Sequence, residues 1–210
     1  MSTFLDQQNW RYATKKFDAT KKISNKDLDI LKEAIRLSSS SYGLQPYTVF
    51  IIENPDLRAK IQPAAWGQSQ IVDASHLIVF ANRTNVTDED IDSYLKNVAQ
   101  TRNLPDTAIK GYGDFMKGGI GAKSQEEKAN WTSKQTYLAL ANLMNAAAEL
   151  KIDVTPMEGF VPAQVNEILG FDKLGLNASL LAPIGYRSTE DATQHLKKVR
   201  KSNEELFITL

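Results

Sequence analysis

The stretch from Trp131 to Gly159 constrains this chain more than any other. From Tyr137 to Leu150 only Asn142, Asn145 and Glu149 are polar. A helix apolar on nearly every side is expected to be buried on nearly every side. Its alanines favour helix and let neighbouring backbones come close. Pro156 cannot continue it, and the residue before a proline is pushed towards extended geometry. The turn that follows is Met157-Glu158-Gly159-Phe160, and its glycine lets the backbone approach a ligand. The stretch reads either as a core helix that delivers a functional turn or as a core helix that simply stops.

A chain of 210 residues is most simply one domain, long enough for a real core. Lysine plus arginine equals aspartate plus glutamate, 25 each. No global field therefore favours nucleic acid or an anionic membrane. There is no cysteine, which excludes disulfides, thiolate metal sites and a cysteine nucleophile. His76 and His195 have no second ligand at helical spacing, so no metal site is legible. The start, Met1 to Asp6, lacks a basic region followed by an apolar run. No segment approaches the length of a membrane span. The expectation is a cytoplasmic protein.

In chain order, a short helix is expected over 3–12, followed by the basic segment Arg11-Tyr12-Ala13-Thr14-Lys15-Lys16. Such a segment reads as a solvated turn or, where cations meet free backbone N–H groups, as a phosphate site. Ser24 is an N-cap with Asp27 at the third position, and Leu28, Leu31 and Ile35 give a core stripe. The Ser38–Ser41 run and Gly43 then form a donor-rich loop between a helix and a strand. Strands are expected over 47–53, 76–82 and 178–186, the last at an edge or a bulge because of Pro183. A short helix starts at Pro55. Gln68 and Gln70 carry donors and acceptors suited to an amide-bearing ring, or are simply exposed.

Residues 88–129 form a helical excursion, with two helices broken near Pro105. Five of the eleven glycines cluster there, at 111, 113, 118, 119 and 121, beside Tyr112 and Phe115. They are expected to make a mobile cover or an ordinary flexible loop. Their spacing is not that of a phosphate loop or a dinucleotide fingerprint. Val161–Leu169 is a helix capped by Gly170. A second basic cluster spans His195–Lys201. The tail Leu206–Leu210 is β-like and needs a pairing partner, in its own sheet or in another chain's. The element order implies an α+β fold.

Six segments in one order and spacing resemble the FMN-dependent nitroreductase family, in its oxygen-insensitive nitroreductase and flavin reductase branch. They are Arg11–Asp18, Ser38–Tyr47, Asp73–Ala81, Trp131–Asn142, Pro156–Phe160 and His195–Lys201. The resemblance covers essentially the whole chain. It implies a nitroreductase-like α+β fold, a mainly antiparallel sheet flanked by helices, in a homodimer whose C-terminal strand is exchanged. It implies FMN as cofactor and NAD(P)H as hydride donor, with ping-pong transfer through flavin N5 to nitroaromatics, quinones or similar acceptors. A different reductase on the same scaffold, or a flavin-binding protein that is not an enzyme, are the rival readings.

By the same resemblance, Arg11, Lys198 and Arg200 hold the FMN phosphate, beside Tyr12 and Ala13. Lys15 lies at the N1/O2 edge of the flavin, and Gln68 and Gln70 read its pyrimidine edge. The loop Ser40–Leu44, with Ser40, Ser41, Gly43 and Leu44 at the cofactor, comes from the partner subunit, and Ser39 is a further cofactor-binding residue. Pro156, Met157, Glu158 and Gly159 lie behind the ring, with the Glu158 and Gly159 N–H groups directed at N5 and O4. No side chain is expected to act as general acid or base, because the cofactor carries the chemistry. Tyr112 and Phe115 are the candidates for stacking on substrate. The chain departs from the family at Gly43, where an asparagine is usual, at Tyr47, where a tryptophan is usual, and at Gln70, where the nearest branch has a lysine.

Overall fold

The computed structural model describes residues 3–210, the Asp106 side chain excepted. Met1 and Ser2, where the reading of the N-terminus begins, lie outside the described residues. The elements are α1 (Thr3–Trp10), α2 (Asn25–Arg36), β1 (Tyr47–Ile52), α3 (Pro55–Ala64), α4 (Gln70–Asp73) and β2 (His76–Arg83). Then come α5 (Asp88–Arg102), α6 (Lys110–Gly121), α7 (Gln125–Glu149), β3 (Asp153–Val154), α8 (Pro162–Leu169), β4 (Leu176–Gly185) and α9 (Asn203–Leu206).

The four strands form one antiparallel sheet in the order β1-β2-β4-β3. Successive strand side chains point to opposite faces, and both faces of β2 are buried. Ile78 and Phe80 join Leu180, Ala182 and Ile184 against α2 and α7. Leu77, Val79 and Ala81 face the other way, against Ile61, Ala64, Val165 and Phe171. The register between β2 and β4 shifts between Phe80 and Ala81. That irregularity reverses the parity of β4, so Leu176 and Ala178 share a layer with Leu181.

The Pro183 expectation needs correcting. β4 is an interior strand, and its irregularity lies at the other end. Pro183 is tolerated because a residue's N–H and C=O point to the same side of its strand. The missing donor therefore faces the side where β3 is only two residues long. There the Pro183 carbonyl accepts the Thr155 N–H at 3.0 Å.

The long helix begins earlier than its apolar run, at a capping box in which Ser124 and Glu127 satisfy each other's backbone N–H. Its buried positions include Thr136, Ala139, Leu140, Leu143 and Ala147, a stripe at helical spacing. Burial on nearly every side does not hold within this chain, because Tyr137 and Leu138 are exposed. The glycine-rich segment is also a correction. It is the helix α6, not a loop. Each glycine costs a helix about 1 kcal/mol relative to alanine, and packing offsets this. Met116 and Ile120 are buried with Leu95 and Ile91 of α5, and a Cβ on Gly113 would sit 2.6 Å from Leu95 Cδ1.

The tail beyond α9 adds no strand to the chain's own sheet. Phe207, Ile208 and Leu210 are exposed. β1 meanwhile pairs with β2 alone, leaving its other edge open along a cavity of about 720 Å³ lined by Gly43 to Val49, Arg83 and Tyr94.

Candidate functional site

The sheet places the first basic segment beside the turn after α7. Ala13 bridges Val154 in parallel, and Met157 bridges Leu181 of β4. Segments 11–15 and 154–159 therefore run side by side along the β3 end of the sheet. Gln68 closes the group from the other side, its amide donating to the Gly159 carbonyl at 2.8 Å and to the Ala65 carbonyl at 3.0 Å. Gln70 is buried in α4.

The second basic cluster folds back onto the first. Lys198 Nζ donates to the backbone carbonyls of Gln8 and Arg11. Arg11 Nε donates to Gln8 Oε1 at 2.6 Å, and an Arg200 Nη donates to the Val199 carbonyl at 2.6 Å. All three cations line one cavity of about 460 Å³ with Tyr12, Ala13 and Pro156. Among the described residues none of the three pairs with a carboxylate. Burial, then repulsion from Arg200, holds the Arg11 guanidinium below its ordinary pKa. Burial, then Arg11 and Arg200, lowers that of Lys198. Such a cluster is built for an anion, and a phosphate monoester suits its charge and its guanidinium geometry. These residues therefore fit the phosphate end of FMN.

The turn Pro156–Gly159 offers the complementary feature. Met157 spends its N–H on the Leu181 carbonyl at 2.8 Å, whereas the N–H groups of Glu158 and Gly159 have no backbone acceptor among the described residues. Glu158 accepts the Tyr137 hydroxyl at 2.9 Å. A Cβ on Gly159 would lie 2.8 Å from the exposed Trp66 ring, which would have to shift to admit it.

The serine loop lies elsewhere. The Ser41 N–H donates to Gln135 Oε1 at 2.8 Å, and Ser40 Oγ accepts the Gln45 N–H at 2.9 Å. Ser39 leads into this turn. Gly43 takes φ +77°, open to glycine at little cost, and the Tyr94 hydroxyl fills its vacant side, 2.7 Å from where a Cβ would be. Leu44 packs with Val86, Ile91 and Leu95 in the excursion's own core. Tyr112 reaches the Tyr42 carbonyl at 3.4 Å, and Phe115 packs edge-on to the Tyr42 ring at 6.2 Å. Phe115 is 64% exposed. The site residues expected from the sequence thus fall into two groups, one at the β3 end of the sheet and one made by the serine turn and the excursion it packs against.

Three contributors escaped the sequence reading. Trp66 lies over Gly159 and Tyr94 over Gly43, and nothing in the sequence links either pair. The third is Asp191. Its Oδ2 accepts the Tyr12 hydroxyl and the Lys15 N–H, both at 2.8 Å, and the Lys16 N–H at 3.2 Å. Its Oδ1 accepts the Thr193 N–H at 3.0 Å. Burial alone would raise its pKa, but these donors outweigh it and hold the carboxyl below the usual range. The only sequence signal was an aspartate placed to cap the short turn Ala192–His195.

An α+β sheet thus carries a cation cluster, unpaired among the described residues, beside backbone N–H groups without backbone acceptors. The chain belongs to the nitroreductase family, whose model matches residues 9–186. It is 37% identical to a Staphylococcus epidermidis protein named as an NAD(P)H nitroreductase, over 98% of this chain and 96% of that one. It is 34% identical to the major NAD(P)H-flavin oxidoreductase of Aliivibrio fischeri, over 95% of each. Among solved structures, a nitroreductase of Exiguobacterium sibiricum in complex with FMN superposes with a TM-score of 0.83 at 19% identity. That match covers 100% of this chain and 98% of the other. The nitroreductase ydfN of Bacillus subtilis gives 0.88 at 20% identity, with 99% and 98% covered. Among the described residues no helix is long and apolar enough to cross a membrane.

Proposed function

We propose that this chain is an FMN-dependent NAD(P)H oxidoreductase of the nitroreductase and quinone reductase type. The observation that carries the reading is the convergence of Arg11, Lys198 and Arg200 with no carboxylate partner among the described residues. These three would hold the FMN phosphate, with Tyr12 and Ala13 beside them. Lys15 would face the N1/O2 edge of the ring, Gln68 and Gln70 the pyrimidine side, and the Glu158 and Gly159 N–H groups N5 and O4. When bound, FMN would supply the hydride chemistry between NADH or NADPH and a nitroaromatic, a quinone or a similar acceptor. The protein's residues bind, orient and tune.

The site would be completed in a homodimer. Ser39–Leu44 has no hydrogen bond to the cation cluster of its own chain among the described residues, which supports its supply to the partner's site. The unpaired apolar tail and the open edge of β1 complement each other; exchange of the tails would satisfy both. Tyr112 and Phe115 would then stand over the ring for stacking on acceptor. The test is an absorption spectrum of the purified protein, followed by anaerobic titration with each nucleotide. The expected result is a yellow protein bleached by NADH or NADPH and reoxidised by a nitroaromatic or quinone. A colourless protein that FMN does not stabilise, or a flavin that neither nucleotide reduces, overturns the reading.

A further inference from the structure

Asp191 is 2% exposed, and both of its oxygens are used. It grips Tyr12, Lys15 and Lys16 on one side and Thr193 on the other. Tyr12 is held a second time, because the Arg187 guanidinium stacks 4.5 Å from its ring centroid while pairing with buried Asp153 at 2.6 Å. The backbone of this loop is therefore fixed at several points. The side chain it carries is treated differently. Lys15 is exposed, and among the described residues its ammonium makes no hydrogen bond or ion pair. Its neighbour Lys16, on the same loop, is spent on Glu190. Thr14 and Phe17 of this loop are buried, so the clamped backbone leaves Lys15, between them, to carry an outward charge that is unpaired among the described residues.

We infer that Asp191 is the positioning residue for Lys15: its carboxylate fixes the Lys15 and Lys16 backbone so that the Lys15 ammonium faces the flavin. The inference rests on the FMN reading above and deepens it. A cation held at the N1/O2 edge stabilises the anionic reduced form of the cofactor. Asp191 is buried behind the loop it holds, so its influence on the cofactor's potential is expected to pass through that loop, chiefly through Lys15.

The test measures the two-electron midpoint potential of the FMN-loaded protein for Lys15→Met, Asp191→Asn and the double variant. The expected result is that Asp191→Asn weakens binding of reduced relative to oxidised FMN by about tenfold, a fall of about 30 mV for a two-electron couple. Lys15→Met should do at least as much, and the double variant no more than Lys15→Met alone, because groups acting through one contact are not additive. A folded, FMN-loaded Asp191→Asn protein with the parent potential overturns the inference, and so do additive shifts. A folded Asp191→Asn protein that has lost FMN altogether also overturns it, since Asp191 would then act on cofactor binding, through Tyr12, rather than on the potential. If Asp191→Asn does not fold, the carboxylate is a structural anchor and the inference fails. A parent protein that binds no FMN removes the underlying reading instead.

Discussion

The two groups of candidate site residues rest on different supports. The group around Arg11, Lys15, Gly159 and Lys198 hangs on the sheet through backbone bridges at Ala13, Val154 and Met157. The group around Ser40, Gly43, Tyr112 and Phe115 rests on α5 and α6, whose core of Val86, Ile91, Leu95, Met116 and Ile120 is separate from the two sheet layers. The first is rich in charge and hydrogen bonds and, in the proposed reading, would hold one invariant cofactor. The second offers exposed aromatic rings on a helix with five glycines, and would take acceptors of varied shape. The difference implies that cofactor binding and acceptor choice are separable by mutation.

The largest expected effect lies in the first group. Arg200→Ala removes a charge-assisted contact of about 1.5–3 kcal/mol, so FMN affinity falls roughly 10- to 150-fold. The apo protein should not lose stability, because one of three repelling cations is gone. Titration of FMN and a melting curve without it check both halves. A lowered apo melting temperature would make Arg200 a structural residue. Next in size, deletion of Leu206–Leu210 should convert the proposed dimer to monomer in sedimentation and weaken FMN binding through loss of the partner's serine loop. A truncated chain that stays dimeric with full affinity would place the second group in its own chain's site.

Phe115→Ala tests the separation from the other side. It should raise KM for a nitroaromatic or quinone by about three- to tenfold, in line with about 0.5–1.5 kcal/mol for an aromatic contact. FMN affinity should change less than twofold. Equal losses in both would merge the two groups. The smallest effect belongs to Glu158→Gln, since in the proposed site the backbone N–H and not the carboxylate would face the cofactor. Turnover should stay within about threefold, and a loss of 10²-fold or more, the scale of general acid–base catalysis, would bring the carboxylate into the chemistry.

The same contrast explains what could be read from the sequence. The cations of the first group are recognisable by residue type, and the strands and the α7 core stripe follow from hydrophobic pattern. Both survive translation into the fold. What escaped depends on pairs distant in sequence. Asp191 is anonymous until 175 positions of chain bring it under Lys16. The glycines of α6 read as a loop because local propensity says so, yet Gly113 is small so that α6 can close on Leu95. Pro183 read as an edge or bulge signal because the length of β3 could not be foreseen. The even apolarity of α7 overstated its burial in one chain, and exposed Tyr137 and Leu138 mark the surface that the proposed second subunit would cover.

The most direct test of the account compares FMN with riboflavin, which differs by the phosphate alone, in binding to the apo protein and to the Arg11→Ala/Lys198→Ala/Arg200→Ala variant. The account predicts that the parent binds FMN at least 100-fold more tightly than riboflavin and that the triple variant loses this preference while keeping its riboflavin affinity. Equal affinity of the parent for the two flavins would contradict it.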